Sequence, residues 1–196
     1  MLKGIDFDVV SVDLGANEQF SPEHLARNPL GRVPALFWEG RCLAESVAII
    51  EFLEETVPSP ALYPADRWAR ARARQVVEVV NSGIQPMQSP AVANRARETA
   101  EERTAWSRFF NERGLAAVER LLELIAGEQA GSGRFCVGDR LTVADICLVT
   151  QVWSARRFGA DLSAIPRGLA VEAAALATEH AARAHPDNQL GAPAKS

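Results

Sequence analysis

The chain has 196 residues and a mass of 21.2 kDa, enough for one large domain or two small ones. Hydrophobic residues make up 47% and charged residues 23%, which excludes global disorder and predicts a packed core. A net charge of −4 and the absence of a long apolar stretch argue against nucleic-acid and membrane partners.

The first part of the chain is predicted to alternate between strands and helices. The β-branched run near the start favours a strand, and Glu39-Gly40 is a two-residue hairpin turn. Apolar residues at helical spacing follow Ser46, which is a candidate N-cap. The predicted elements are a strand at 8–14, a helix at 22–27, strands at 33–38 and 41–43, and a helix at 46–53.

The remainder of the chain is predicted to be helical. Pro58-Ser59-Pro60 ends the preceding helix and opens a linker. Thr142 and Asp145 fit an N-cap and the third helical position of a capping box. The predicted elements are helices at 68–80 and 99–126, a loop at 131–133, helices from 142 and at 170–184, and a frayed tail from 185.

These elements predict two domains of different class. The fold class is α/β plus all-α, with an α/β domain at 1–57, a linker at 58–66 and a helical domain at 67–196. The α/β half is incomplete, because it moves directly from a loop or helix end into a strand.

The three cysteines are too few and too scattered for a disulfide framework or a zinc site. We therefore expect reduced thiols in a cytoplasmic protein and no bound metal. Cys42 lies in a predicted strand and Cys147 in a predicted apolar helix, so both are predicted to be buried small hydrophobes.

Two short motifs in the first half could bind a peptide-like ligand. A cis Val33-Pro34 bond would turn the preceding backbone outward for β-type pairing, although an ordinary proline at a strand start has the same sequence. Glu45-Ser46 at a helix start could hold an ammonium and a carboxylate, although simple N-capping explains the serine equally well.

Arginines form two further candidate binding sites for anions. Arg67, Arg70 and Arg74 share one helix face, which could attract anions or be simply solvated. Arg157 follows the Thr142-capped helix and could bind a substrate carboxylate through two hydrogen bonds, or it could be exposed or ion-paired.

Several motifs occur in a family-specific order over essentially the whole chain. They are Gln19-Phe20-Ser21, Asn28-Pro29, Val33-Pro34, Glu45-Ser46-Val47, Gly83-Ile84-Gln85-Pro86, Phe135-Cys136-Val137-Gly138-Asp139, Thr142-Val143-Ala144-Asp145 and Arg157-Phe158. Together they resemble the glutathione transferases. The Gly-Ile-Gln-Pro and Cys-Val-Gly-Asp segments resemble the zeta class, whose best-known activity is maleylacetoacetate isomerase.

The resemblance implies a thioredoxin-like domain followed by an all-α domain, in a homodimer that uses glutathione. It implies that Val33, beside a cis Pro34, pairs with the cysteinyl backbone of glutathione. Glu45 would take the γ-glutamyl ammonium, where many members have Gln, and Ser46 would take the γ-glutamyl carboxylate.

The same resemblance assigns Gln19 and Gln85 to further glutathione contacts, with Gln85 reaching the ligand of its own chain or that of its partner across the dimer. It assigns Arg157 to the acidic substrate. The implied reaction is the cis–trans isomerisation of maleylacetoacetate to fumarylacetoacetate in tyrosine and aromatic catabolism. The alternatives are maleylpyruvate isomerisation, glutathione conjugation, haloacid dehalogenation, or a non-catalytic interaction module.

The chain departs from the family at its start. The zeta class carries a thiol-activating Ser-Ser-Cys-Ser-like motif after its first strand, and this sequence begins beyond that motif. The absent strand would lie between those at 8–14 and 33–38. We expect a gene start assigned to an internal Met, the alternative being a genuine short form with weak or no glutathione binding.

Overall fold

A computed structural model describes residues 1–128 and 133–189. The chain divides into two compact units. The first comprises Met1–Pro60 together with residues 184–189, and the second comprises Ala61–Arg183. Among the described residues, no helix is both long and apolar enough to cross a membrane.

The first unit is built on a β-hairpin. Strands β1 (Ala35–Trp38) and β2 (Arg41–Ala44) are antiparallel, and Trp38 pairs with Arg41 across the turn. Glu39 and Gly40 have φ values of 47° and 77°, as a two-residue hairpin turn of this type requires. The predicted hairpin is therefore confirmed, with strand bounds shifted by one or two residues.

Two helices accompany this hairpin. They are α1 (Pro22–Arg27), which matches the predicted bounds, and α2 (Ser46–Thr56), which runs three residues further than predicted. Trp38 meets Phe52 edge to face with ring centroids 5.6 Å apart, so α2 covers one face of the hairpin.

The predicted strand at 8–14 is wrong. Residues 5–13 form no regular secondary structure, and Val9 and Val10 are 58% and 84% exposed. β-branched residues favour extended backbone, but a strand also needs a hydrogen-bonding neighbour. Among the described residues, no strand pairs with this segment.

Lys3 anchors the start of the chain to the end of α2. Its side chain is only 6% exposed, and its ammonium contacts the Glu54 carboxylate at 2.6 Å. The same ammonium donates to the carbonyl oxygens of Val57 (2.6 Å) and Pro60 (3.0 Å). A cation here also suits the negative end of the helix dipole.

Replacing Lys3 by methionine is expected to lower the free energy of unfolding by about 3 kcal/mol, because the shielded Glu54 carboxylate loses this cation and the Val57 and Pro60 carbonyls lose their donor. Urea denaturation followed by circular dichroism measures the change. The matched control is Glu23→Gln, which breaks an exposed pair with Arg27 and should cost less than about 1 kcal/mol. Equal losses in the two variants would contradict the anchoring role of Lys3.

The second unit is helical. Its helices are α3 (Arg67–Glu78), α4 (Gln85–Gln88), α5 (Pro90–Ala96), α6 (Ala100–Glu128), α7 (Val143–Arg157), α8 (Pro166–Leu176) and α9 (Glu179–Ala184), whose last residue, Ala184, belongs to the first unit. Most of the deeply buried large residues of this unit come from α3, α6, α7 and α8, including Val76, Val118, Leu148 and Val171.

A π-helical turn at Val79–Ile84 joins α3 to α4. Ile84 is completely buried against Gly114 of α6, where an added Cβ would lie 2.2 Å from Ile84 Cγ1. Gly114 therefore lets α6 approach this turn closely, which fixes where α4 begins.

The predicted helix at 170–184 is in fact two helices, since the backbone breaks at Ala177–Thr178 between α8 and α9. Thr178 donates from its hydroxyl to the carbonyl of Ala175, and its own carbonyl accepts from Ala182 to start α9. Helices α4 and α5 were not predicted. Residues 131 and 132 of the predicted loop, and the tail beyond 189, lie outside the described residues.

Candidate active site

The loop that leads into β1 is shaped by a buried asparagine. Asn28 donates from Nδ2 to the Arg32 carbonyl at 2.8 Å and accepts at Oδ1 from the Leu30 backbone N–H. Its side chain is 2% exposed. The Val33-Pro34 bond that follows is cis, as the family resemblance implied.

Val33 presents an open backbone. It is 43% exposed, and among the described residues nothing pairs with its N–H or C=O. A peptide ligand can therefore hydrogen-bond to Val33 as a neighbouring strand would.

The N-terminus of α2 is open as well. Glu45, not Ser46, occupies the N-cap position, with φ 72° and no side-chain cap, so the predicted N-cap role of Ser46 is wrong. Ser46 is the first helical residue, and its exposed hydroxyl has no partner within the described part of the chain. Free N–H groups, a positive dipole end and a hydroxyl together suit a carboxylate.

The hairpin register brings these two places together. Ala35 pairs with Ala44, so Pro34 lies opposite Glu45 at the open end of the hairpin. Arg32 and Glu45 face each other across this end, with Nη1 and Oε1 3.8 Å apart. Both side chains are more than half exposed, so this ion pair is weak and leaves the Glu45 carboxylate open to a ligand cation.

Gln19 supplies a further polar group. It lies in a short 3₁₀ turn and is 9% exposed, and its Oε1 atom is buried without a hydrogen-bond partner among the described residues. An unpaired buried oxygen is costly, so a donor from a ligand would stabilise it. The residues of this unit thus fit glutathione, which carries a carboxylate, an ammonium and peptide groups.

The second unit carries the other two candidate residues. Gln85 is exposed at the start of α4, and Arg157 is exposed at the end of α7. The Arg157 guanidinium stacks over Trp153, with Cζ 4.9 Å from the ring centroid. This contact orients the guanidinium while leaving its edge free for a carboxylate.

The neighbouring arginine has a different role. Arg156 donates from both terminal nitrogens to the two carboxylate oxygens of Glu172, which is only 4% exposed. This hydrogen-bonded pairing raises the pKa of Arg156 and holds α8 against α7. Arg156 is therefore the ion-paired residue and Arg157 the available one.

Most of the α3 arginines are engaged internally. Arg72 pairs with Glu128, Arg70 donates to the Pro64 carbonyl, and Arg74 lies over the Tyr63 ring. These contacts do not support an anion-attracting wall on this helix.

The cysteines do not supply a nucleophile here. Burial, with a contribution from the Asp145 charge, raises the pKa of Cys136 well above its usual value, and burial raises that of Cys147 to about 11. Cys136 is fully buried, whereas Cys42 and Cys147 are half-buried rather than buried as predicted. Among the described residues, no His, Cys, Asp or Glu cluster could hold a metal ion.

Two features were not foreseen as part of the site. One is the shaping of the Val33 loop by Asn28, for which the only signal is Asn-Pro followed by Gly31. The other is a buried amide cluster of Gln88, Asn111 and Gln151. The sequence feature that could have indicated this cluster is the position of Asn111 within the apolar face of α6 and of Gln151 within that of α7.

Known proteins resemble both halves of the chain. The N-terminal domain model of glutathione S-transferases matches residues 1–55, and the C-terminal domain model matches residues 90–177. A maleylacetoacetate isomerase of Rattus norvegicus is 38% identical over 99% of this chain and 87% of its own length.

Solved structures agree with these matches. The maleylacetoacetate isomerase of Anaeromyxobacter dehalogenans 2CP-1, with glutathione bound in its active site, is 46% identical with a TM-score of 0.84. The alignment covers 98% of this chain and 88% of that one. A bacterial maleylpyruvate isomerase of the zeta class is 37% identical with a TM-score of 0.92, covering 98% and 91% of the two chains.

Proposed function

Because the chain belongs to the zeta class of the glutathione transferases, the family of the maleylacetoacetate isomerases, we propose that it converts maleylacetoacetate to fumarylacetoacetate with glutathione. The observation that carries this proposal is the open N-terminus of α2, where the Ser46 hydroxyl lies beside uncapped N–H groups. The fold is that of the family, with a thioredoxin-like N-terminal domain, represented here by a two-stranded sheet, and a helical C-terminal domain.

Each open group in the first unit has a proposed partner in glutathione. Ser46 and the first N–H groups of α2 bind the γ-glutamyl carboxylate, and Glu45 binds the ammonium. Val33 pairs with the cysteinyl backbone, beside the cis Pro34. Gln19 binds a donor through its unpaired oxygen. The family resemblance assigns the exposed Gln85 to a further glutathione contact.

The chemistry of the step comes from the ligand. Glutathione, when bound, supplies the thiolate that adds to the cis double bond of the substrate and leaves after rotation. The chain's own residues orient the reactants. Arg157, held by Trp153, binds a substrate carboxylate through its free guanidinium edge.

A second candidate substrate is maleylpyruvate, because the maleylpyruvate isomerase structure has a TM-score of 0.92. Side-by-side kcat/KM values for the two acids separate these activities, and a haloacid and a conjugation substrate test the remaining transferase reactions. A folded protein that binds no glutathione and turns over none of them would favour the non-catalytic interaction module.

We also propose a setting for this activity. The protein acts as a homodimer in the cytoplasm, in tyrosine and aromatic catabolism, and its functional domains are residues 1–57 and 67–196 with a linker at 58–66. The three free thiols and the family membership support this setting. Sedimentation at micromolar concentration tests the dimer.

Replacing Ser46 by alanine is expected to weaken glutathione binding about 10- to 100-fold, because a hydrogen bond to a charged group contributes about 1.5–3 kcal/mol. Isothermal titration with glutathione measures the change. The matched control is Ser11→Ala, an exposed serine of the same unit with no hydrogen bond in the described structure. Dissociation constants within twofold of each other for the two variants would sink the assignment of Ser46.

A further inference from the structure

Three helices of the second unit meet at a buried cluster of side-chain amides. Asn111 of α6 is completely buried and Gln151 of α7 is 2% exposed. Gln151 donates from Nε2 to Asn111 Oδ1 at 2.6 Å, and Asn111 donates from Nδ2 to the Ser107 carbonyl at 2.8 Å. Both amides therefore have fixed orientations, because reversing Asn111 would place two donors together and reversing Gln151 would place two acceptors together.

Both amides converge on Gln88, the last residue of α4. Gln88 Oε1 accepts from Asn111 Nδ2 at 2.7 Å and from Gln151 Nε2 at 3.2 Å. It also accepts from the Ser154 hydroxyl at 3.2 Å. The Gln88 amide therefore cannot turn over without losing its contacts with the donor-only nitrogens of Asn111 and Gln151.

The nitrogen of the same amide is left free. Gln88 is half-buried, and no acceptor among the described residues contacts its Nε2 atom. The cluster thus holds a neutral N–H₂ group with two donors facing away from the amides that orient it.

The amide that carries this free donor contacts α7 one helical turn before Arg157. Ser154, which bonds Gln88, precedes Arg157 by one helical turn on α7, so their side chains share a helix face. Arg157 itself is exposed and stacked on Trp153, the residue next to Ser154. The Gln88 amide and the Arg157 guanidinium therefore both lie against the last turns of α7, on Ser154 and on Trp153.

We propose that Gln88 is a second substrate-binding residue, whose Nε2 donates to a carboxylate or keto oxygen of the acidic substrate that Arg157 holds. The proposal rests on the proposed function, because it assumes that Arg157 faces the substrate. A neutral, oriented donor beside a guanidinium selects an oxygen-rich acid, since an apolar substrate would leave both N–H groups unpaired in a half-buried place.

The test is Gln88→Glu. One glutamate oxygen can still accept from Asn111, Gln151 and Ser154, while the other replaces the donor and repels a ligand carboxylate. The matched control is Asn94→Asp, an exposed amide on α5 with the same change of charge. The probes are glutathione and dicarboxyethyl glutathione, which is bound in a structure of the Anaeromyxobacter relative.

We expect Gln88→Glu to weaken dicarboxyethyl glutathione at least about tenfold while glutathione affinity changes less than about twofold. Asn94→Asp should change neither. With maleylacetoacetate at saturating glutathione, kcat/KM should fall by a similar factor, mostly through KM. Equal weakening of the two probes would show a merely structural role, and no weakening would show no contact; either result overturns the proposal.

A second, uncharged variant and the binding measurements keep the proposal testable even if the glutamate variant does not fold or the enzyme is inactive. Gln88→Met removes the donor, and with it the acceptor of the cluster, without adding charge, so urea denaturation accompanies the binding measurements. It should show the same selectivity between the two probes, and it decides the matter if the glutamate variant does not fold. If the unmodified protein does not isomerise maleylacetoacetate, the proposed function fails, while the comparison of the two probes still tests Gln88.

Discussion

Replacing Arg157 by alanine is expected to lower kcat/KM for maleylacetoacetate about 10- to 100-fold with little change in stability. The guanidinium is exposed and makes no ion pair with a described carboxylate, so its removal costs the fold only a stacking contact with Trp153. Losing a charge-assisted contact to a substrate carboxylate costs about 1.5–3 kcal/mol in the transition state.

The adjacent arginine is the control for this prediction. Arg156→Ala leaves the buried Glu172 carboxylate unpaired and should lower the free energy of unfolding by about 2 kcal/mol. It should change kcat/KM much less than Arg157→Ala does. Steady-state kinetics and urea denaturation on both variants give the comparison. The reverse pattern, with catalysis lost at Arg156 and stability at Arg157, would refute the division of roles.

Replacing Asp145 by alanine is expected to cost about 4 kcal/mol of stability, a large part of the roughly 5–15 kcal/mol available to a domain. Asp145 is completely buried at the start of α7. It accepts from the backbone N–H groups of Cys136 and Thr142, each at 2.7 Å, and from the Thr142 hydroxyl at 2.9 Å. Alanine would leave both buried N–H groups without an acceptor.

The pH dependence gives this prediction an independent check. Burial raises the pKa of Asp145, against the lowering effect of its hydrogen bonds, so the folded form binds a proton more readily than the unfolded chain. Its contribution to stability is therefore fully present below the unfolded value of 3.8 and is lost as pH rises through the folded pKa. Relative to Asp145→Asn, the unmodified protein should gain stability as pH falls through that window. Urea denaturation at pH 7 and pH 4 measures this, and a relative loss on acidification would contradict it.

The hairpin and the first helix, α1, were predictable from local sequence features. Glu39-Gly40 specifies its turn through positive φ values, and α1 begins at Ser21-Pro22 because Ser21 accepts from the His24 N–H as an N-cap. Such features depend on residues within a few positions of one another. They could therefore be predicted with nearly correct bounds.

Features that depend on residues distant in the sequence could not be predicted from it. Residues 8–14 have strand composition, but a strand also requires a partner, which composition does not reveal. Helices α4 and α5 contain Pro86 and Pro90, and proline in a sequence usually indicates that a helix ends. Both prolines instead lie in the first helical turn, where proline is tolerated.

The candidate site shows the same limit. The sequence predicts Ser46 as the N-cap, yet Glu45 takes that position with a positive φ, so the helix begins one residue earlier and the serine hydroxyl is left open. The orientation of Gln88 depends on side chains 23, 63 and 66 positions away. Spacing within one helix gives no sign of such partners. The binding assignments of Val33, Glu45 and Arg157 came from the family resemblance, since local sequence alone left ordinary structural roles open.

The most direct test of the central claim is turnover of maleylacetoacetate by the protein isolated from its native source, with and without glutathione. We predict formation of fumarylacetoacetate that requires glutathione and saturates with it. Folded protein that binds no glutathione and forms no fumarylacetoacetate would contradict the proposed isomerase function.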